Sequence, residues 1–237
     1  GFVVAAWNCN SLAEPGQLAT VLRKFGQEGV HALLLSGTRL PGPECQRWVS
    51  RTPEHSWLVL SWGRQEAADG VAIALRLDTF AVSEVNEVST PVPGRIGLVR
   101  VKRKKRFDAT FVVLYLPPSP PRAAPVLAAL GPALAAIPRR SSRVVGGDWN
   151  LRMGSVSGRP MEALHDAHSL TPVNGATHGN TYRDISVIDY LSVDVANLDK
   201  VQWCRVDRGL GAALQTGDDH WPVIARLRLF LPSSHKI

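Results

Sequence analysis

Short apolar runs recur along the chain, each closed by a polar break. They fall at Phe2–Trp7, Ala32–Ser36, Trp57–Ser61, Val71–Leu75, Ile96–Val101, Thr110–Leu116, Val144–Gly146, Val187–Val193 and Val223–Leu229. Several are rich in Val and Ile, so they predict β-strands. Helical periodicity is rarer. Gln17–Gln27 puts Leu18, Val21, Leu22 and Phe25 on one helical face. Arg122–Ile137 is rich in Ala and Leu and follows the breaker Leu116-Pro-Pro-Ser-Pro-Pro121. Glu44–Val49 and Met161–His168 are expected as short helices. Many strands with a few helices between them predict an α+β chain of mixed sheets covered by helices. No repeat, long linker or low-complexity tail divides the chain, so residues 1–237 are expected to form one domain.

Composition adds three constraints. With 237 residues and 45% hydrophobic content, the chain can bury a substantial core. No uncharged apolar run is long enough to span a bilayer, so no membrane role by spanning is expected. The net charge of +7 favours a polyanionic partner, nucleic acid first and an anionic membrane surface second. Three cysteines (Cys9, Cys45, Cys204) lack regular spacing, so neither a disulfide partner nor a zinc site is expected, and a reducing compartment follows. The basic run Lys102-Arg103-Lys104-Lys105-Arg106 lies between two predicted strands and is expected at a hairpin tip, either as a solvated turn or as a phosphate contact.

Four polar clusters follow apolar strands. They are Asn8-Cys9-Asn10-Ser11, Ser36-Gly37-Thr38, Gly146-Gly147-Asp148-Trp149-Asn150, and a pair made of Ser186-Val-Ile-Asp189-Tyr190 with Asp218-Asp219-His220-Trp221-Pro222. Asparagine after a strand is by itself a common turn former. Carboxylates and a histidine at several strand ends are what a hard divalent cation and a phosphate group need. His31, His55, His165, His168 and His178 belong to none of these clusters and are read as structural or surface residues.

In order along the chain, these clusters resemble the endonuclease/exonuclease/phosphatase (DNase I-like) family. Trp7-Asn8-Cys9-Asn10 resembles its first motif and Leu34-Leu-Ser-Gly37-Thr-Arg-Leu40 its second. Tyr115-Leu-Pro-Pro-Ser119, Gly147-Asp-Trp-Asn150, Thr181-Tyr182, Ser186-Val-Ile-Asp189 and Asp219-His220-Trp-Pro resemble the rest. The second and the tyrosine motifs are most similar to those of non-LTR retrotransposon endonucleases. The resemblance implies a four-layer αββα sandwich with the site at one edge of its two sheets. It implies that Asp148 activates water with Asn150 beside it, and that His220 contacts the scissile phosphate with Asp189 fixing its tautomer. Tyr115 would donate to a phosphate oxygen, Asn8 and Asn10 would hold the metal-and-phosphate network, and Asp219 would lie near the metal. The implied cofactor is Mg²⁺ or Mn²⁺.

The departure is Gly37, where the family pattern has a metal-binding glutamate. No acid replaces it nearby in sequence: Glu44 is beyond Pro41-Gly-Pro43, and Glu66 and Asp69 are on another loop. The resemblance implies a nuclear DNA-nicking domain cut from a longer polyprotein, with double-stranded DNA and the polyprotein's own reverse transcriptase domain as partners. Activity is expected to be impaired or lost. The competing expectation is an inactive module that only grips nucleic acid or protein. Besides Lys102–Arg106, the segment holding Arg152 and Arg159 is the candidate DNA contact.

Overall fold

The computed structural model describes residues 1–42, 44–63, 70–104, 106–214 and 219–229. Glu66, Asp69, Lys105 and Asp218 therefore lie outside the described residues. Among the described residues, thirteen strands form two mixed sheets. The first contains β1 (Phe2–Asn8), β2 (Ala32–Ser36), β3 (Cys45–Arg51), β4 (Ser56–Trp62), β5 (Val71–Arg76), β12 (Val201–Val206) and β13 (Val223–Leu227), in the order β12-β13-β1-β2-β5-β4-β3. The second contains β6 (Val85–Val92), β7 (Ile96–Arg103), β8 (Phe107–Tyr115), β9 (Ser142–Asp148), β10 (Leu170–Pro172) and β11 (Asp189–Asp194), in the order β10-β11-β9-β8-β7-β6. Helices α1 (Gln17–Gln27) and α4 (Arg208–Leu214) cover the first sheet, and α2 (Pro120–Ala136) and α3 (Arg159–Ala167) cover the second. The four layers are those of a DNase I-like sandwich.

Among the described residues, three apolar clusters hold the layers together. The central one lies between the sheets and includes Val4, Leu34, Trp62, Ile73, Phe111, Val144 and Leu191. The other two lie beneath the helices, around Phe25 and Leu33 on one side and Leu130 and Val145 on the other. At one end of the central cluster, Phe111 meets the rings of Phe2 and Phe80 edge-on at 5.8 and 5.7 Å. Burying so large a ring beside other aromatics is a major part of its stabilisation. Phe111→Ala is expected to reduce unfolding free energy by about 3–5 kcal/mol, measurable by urea denaturation.

Two parallel pairings position the site. β1 runs parallel to β2 across α1, and β8 runs parallel to β9 across α2. Each crossover returns the chain in the same direction, so Asn8, Ser36, Tyr115 and Asp148 all finish at one end of the sandwich. In an open α/β arrangement that is where ligands bind.

The structure differs from the sequence expectation in places with a common cause. Glu44–Val49 is not a helix: Cys45–Arg51 is an edge strand paired with β4 from Cys45↔Trp62 to Arg51↔Ser56. It has no helical apolar face, and the open edge of β4 supplies its hydrogen bonds. β6, β10 and β12 are also outermost in their sheets. β6 and β12 are largely exposed, so they carry little apolar signal. The expected helix at Met161–His168 forms as α3, and the basic run does cap the β7–β8 hairpin.

Candidate active site

Asp148 closes β9 in a sharp turn. Gly147 before it has φ +143°, and a Cβ there would lie 2.0 Å from the Leu114 carbonyl oxygen. Only glycine allows β9 to pass β8 this closely. The Asp148 carboxylate is buried and accepts three hydrogen bonds. Two come from Asn150, through its backbone N (2.8 Å) and Nδ2 (3.0 Å), and one from Asn8 Nδ2 (2.8 Å). Asn150 has φ +48°, a left-handed conformation that asparagine tolerates well. Its Nδ2 also donates to the Leu116 carbonyl, 2.7 Å away.

His220 lies on the other side of Asn8. Its Nδ1 is 2.9 Å from Asp189 Oδ2, and its Nε2 is 3.3 Å from Asn8 Nδ2. With Nδ1–H given to Asp189, a neutral ring accepts from Asn8, and a protonated ring presents Nε2–H to an incoming oxygen. Trp7 Nε1 donates to the His220 carbonyl at 3.1 Å, and the Tyr182 ring packs 4.9 Å from the imidazole. Thr181 Oγ1 accepts from the backbone N of Ile188 and Asp189, fixing the start of β11.

Burial and the neighbouring Asp189 charge push the Asp148 carboxyl up to about 7, against the pull of His220 and the hydrogen bonds from Asn150 and Asn8. Burial pulls the His220 imidazole down. Asp189, through charge and hydrogen bond, together with Asp148 and Asp219, outweighs that and pushes it up to about 9. A base near neutrality beside a protonated imidazole is suited to acid–base work at physiological pH.

Tyr115 sits at the end of β8, opposite Asp148 in register. The Arg95 guanidinium lies 4.8 Å from the centre of its ring, and Arg95 Nη1 approaches the Tyr115 carbonyl at 3.5 Å. Sequence reading did not single out Arg95, a loop residue with no motif around it; it is buried only in the folded chain. The other expected metal residues border the Asp148 cluster, with the backbone N of Asn10 donating to Asn8 Oδ1 at 3.0 Å, but their side-chain oxygens face arginines. Asn10 Oδ1 accepts from Arg39 at 3.1 Å, and Asp219 Oδ1 accepts from Arg183 Nε at 2.6 Å.

Gly37 has φ +66°, and a Cβ built on it falls 2.3 Å from Asn8 Oδ1. The Asn8 carboxamide therefore occupies the space where a side chain at position 37 would begin. The hydroxyls on either side, Ser36 Oγ and Thr38 Oγ1, are buried and have no hydrogen-bond partner among the described residues. They are neutral oxygens, weak ligands for a hard cation. Glu44 immediately precedes the edge strand β3, which β4 and β5 separate from β2 by about 14 Å at ordinary strand spacing. Ligand atoms of Asp148, Asp189 and His220 do lie within 4.8 Å of one another, close enough for one divalent cation. All three are already committed to hydrogen bonds, so the donor set fits a cation but would hold it weakly.

The two basic segments part company. Arg152 and Arg159 are exposed, in the segment that leads from Asp148 into the start of α3. Lys102, Lys104 and Arg106 lie at the other end of β7 and β8, and Arg103 is held by Glu84 and the Thr79 carbonyl.

The sequence model of the endonuclease/exonuclease/phosphatase family matches residues 5–228. The chain belongs to this family. No curated protein matches its sequence, but solved structures share its fold. The endonuclease domain of TRAS1, a telomere-specific non-LTR retrotransposon, superposes with TM-score 0.68 at 14% identity over 96% of this chain and 99% of its own. The Neisseria 3′ phosphatase NExo bound to a product DNA hairpin gives 0.72 at 20% identity over 96% and 99%. An AP endonuclease from Leishmania major gives 0.69 at 13% identity over 98% and 88%. The family's hydrolases act on phosphate esters, consistent with the Asp148–His220–Asp189 arrangement.

Proposed function

We propose that this chain is a divalent-cation-dependent endonuclease that nicks double-stranded DNA, of the kind that serves non-LTR retrotransposition. The observation that carries the reading is the buried cluster in which Asn8 Nδ2 lies 2.8 Å from Asp148 and 3.3 Å from His220 Nε2, with Asp189 behind the imidazole. The Asn8–His220 contact is a hydrogen bond while the ring is neutral, and a phosphate oxygen replaces it when the ring is protonated. Asp148 orients a water and takes its proton as the water oxygen bonds to phosphorus. Protonated His220, held by Asp189, donates to a non-bridging oxygen and offsets charge in the transition state. Tyr115 donates to a second phosphate oxygen. The bond from phosphorus to the 3′ oxygen breaks with its electron pair going to that oxygen, which takes a proton from solvent and becomes a hydroxyl on which a reverse transcriptase domain of the same polyprotein can prime. Mg²⁺ or Mn²⁺, held by Asp148 with Asn8 and Asn10 nearby, would supply charge neutralisation at the phosphate. Gly37 leaves that cation weakly held, so turnover is slow. The setting is nuclear, where such a target lies.

The test is nicking of supercoiled plasmid in Mg²⁺ and in Mn²⁺, by the unaltered chain and by His220→Ala. Slow cutting that depends on the cation and vanishes in the variant is expected. No cutting under any cation concentration, with tight duplex binding retained, would establish the second reading, an inactive binding module; Gly37 is the observation that favours it.

The paired carboxyl and imidazole also fix the pH dependence. Asp148 must be ionised, so nicking should rise with pH along a limb that lies near 7 when little cation is bound and moves lower as cation is added. His220 must be protonated, so nicking should fall as pH passes through about 9. A flat single-turnover profile across that range would remove these roles.

A further inference from the structure

We propose that the end of the sandwich opposite the active site is a second nucleic-acid surface, which holds a single strand by its phosphates. A cleft there has two adjoining lobes of about 440 and 380 Å³. It lies between the C-terminal end of α2, the turn from α3 into β10, and the segment that leads from β11 to β12. Four cations line it (Arg139, Arg140, Arg143 and Lys200), against one carboxylate, Asp194.

That carboxylate is already neutralised. Arg143 Nε contacts Asp194 Oδ1 at 2.6 Å, and its backbone N contacts Oδ2 at 2.7 Å. The remaining cations are lightly held. Arg139 is exposed and has no ion-pair partner among the described residues. Arg140 Nε is 3.4 Å from Asp108, whose carboxylate already takes two bonds from Arg100. Lys200 Nζ donates to the neutral Asn197 Oδ1. Burial first, and then the charge of Arg143, pulls the His168 imidazole down.

The basic hairpin tip extends the same face. Asp108, beside Arg140, stands opposite Lys102 in the β7–β8 register, and Lys104 and Arg106 are exposed just beyond. A track of cations therefore runs from the tip across the cleft to Lys200. β9 separates it from Asp148 by roughly 20 Å, so the track cannot share a phosphate with the active site. Lobes of this size admit a phosphodiester chain and exclude a duplex. Among the described residues no Phe, Tyr or Trp lines them, and His168 is the one ring, so recognition rests chiefly on phosphate with little base preference. RNA and single-stranded DNA offer the same phosphate chemistry.

The variant Arg139→Ala/Arg140→Ala/Lys200→Ala tests this without touching Arg143, which the fold uses. Fluorescence anisotropy would follow a labelled RNA oligonucleotide and a single-stranded DNA of the same sequence, in EDTA so that no strand is cut. Removing three phosphate contacts should weaken single-strand binding roughly 100-fold at 0.1 M salt and reduce the salt slope by about 2. Loss with both strands supports a general phosphate site, and loss with one alone names the source. Binding of blunt duplex DNA and plasmid nicking should be unchanged, which separates this surface from the catalytic reading. Unchanged single-strand affinity and slope in the triple variant would overturn the proposal, as would a loss confined to duplex binding.

Discussion

Asp148→Asn is expected to reduce nicking by roughly 10³-fold or more while the chain remains folded. The substitution keeps the shape of the side chain and removes its charge and basicity. Asn150 N donates to one carboxylate oxygen, and Asn150 Nδ2 and Asn8 Nδ2 to the other, so the amide NH2 of the variant would face at least one of these donors without an acceptor. A stability loss of about 1–3 kcal/mol accompanies this, small enough for the folded population to be assayed at ambient temperature. Plasmid nicking read beside circular dichroism separates the two effects. An unchanged rate in a folded variant would remove Asp148 from the chemistry.

Gly37→Glu should have two opposing effects. Without a cation the variant is less stable, because a non-glycine residue at φ +66° costs about 1–2 kcal/mol, and its Cβ would displace the Asn8 carboxamide. Moving Asn8 also disturbs its bonds to Asp148 and to the backbone N of Asn10. With Mg²⁺ or Mn²⁺ the new carboxylate supplies the missing charged oxygen ligand. Nicking should then rise by roughly 10²-fold or more, and the thermal midpoint should climb with cation concentration, since binding to the folded state alone stabilises it. The midpoint is measurable whether or not any DNA is cut. A variant whose midpoint ignores the cation and whose nicking does not rise would show that position 37 is not the missing metal position.

The two substitutions touch different parts of one site. Asp148, His220 and Asp189 were legible in the sequence because each sits in a short polar motif at the end of an apolar strand, and the strand pairing delivers them to one place. The roles of Thr181, Arg95 and Trp7 were not legible. Thr181 works by turning the backbone of Ile188 and Asp189, Arg95 by lying across the Tyr115 ring, and Trp7 by reaching the His220 carbonyl. Each depends on a neighbour distant in sequence, and none leaves a local pattern.

The sequence by itself determined the central strands, α1 and the strand-end motifs, because burial on a strand or helix face imposes a local apolar period. It also determined that position 37 lacks a carboxylate. Tertiary structure decided the rest. Edge strands such as β3 and β12 draw their hydrogen bonds from a partner's open edge, so their own residues can be polar. The β7–β8 hairpin carries its basic tip away from Asp148, so charge that looks like a contact near the site lies at the far end. Only the folded chain brings Asn8 into the space beside Gly37, where any side chain at position 37 would compete with its carboxamide for the same volume.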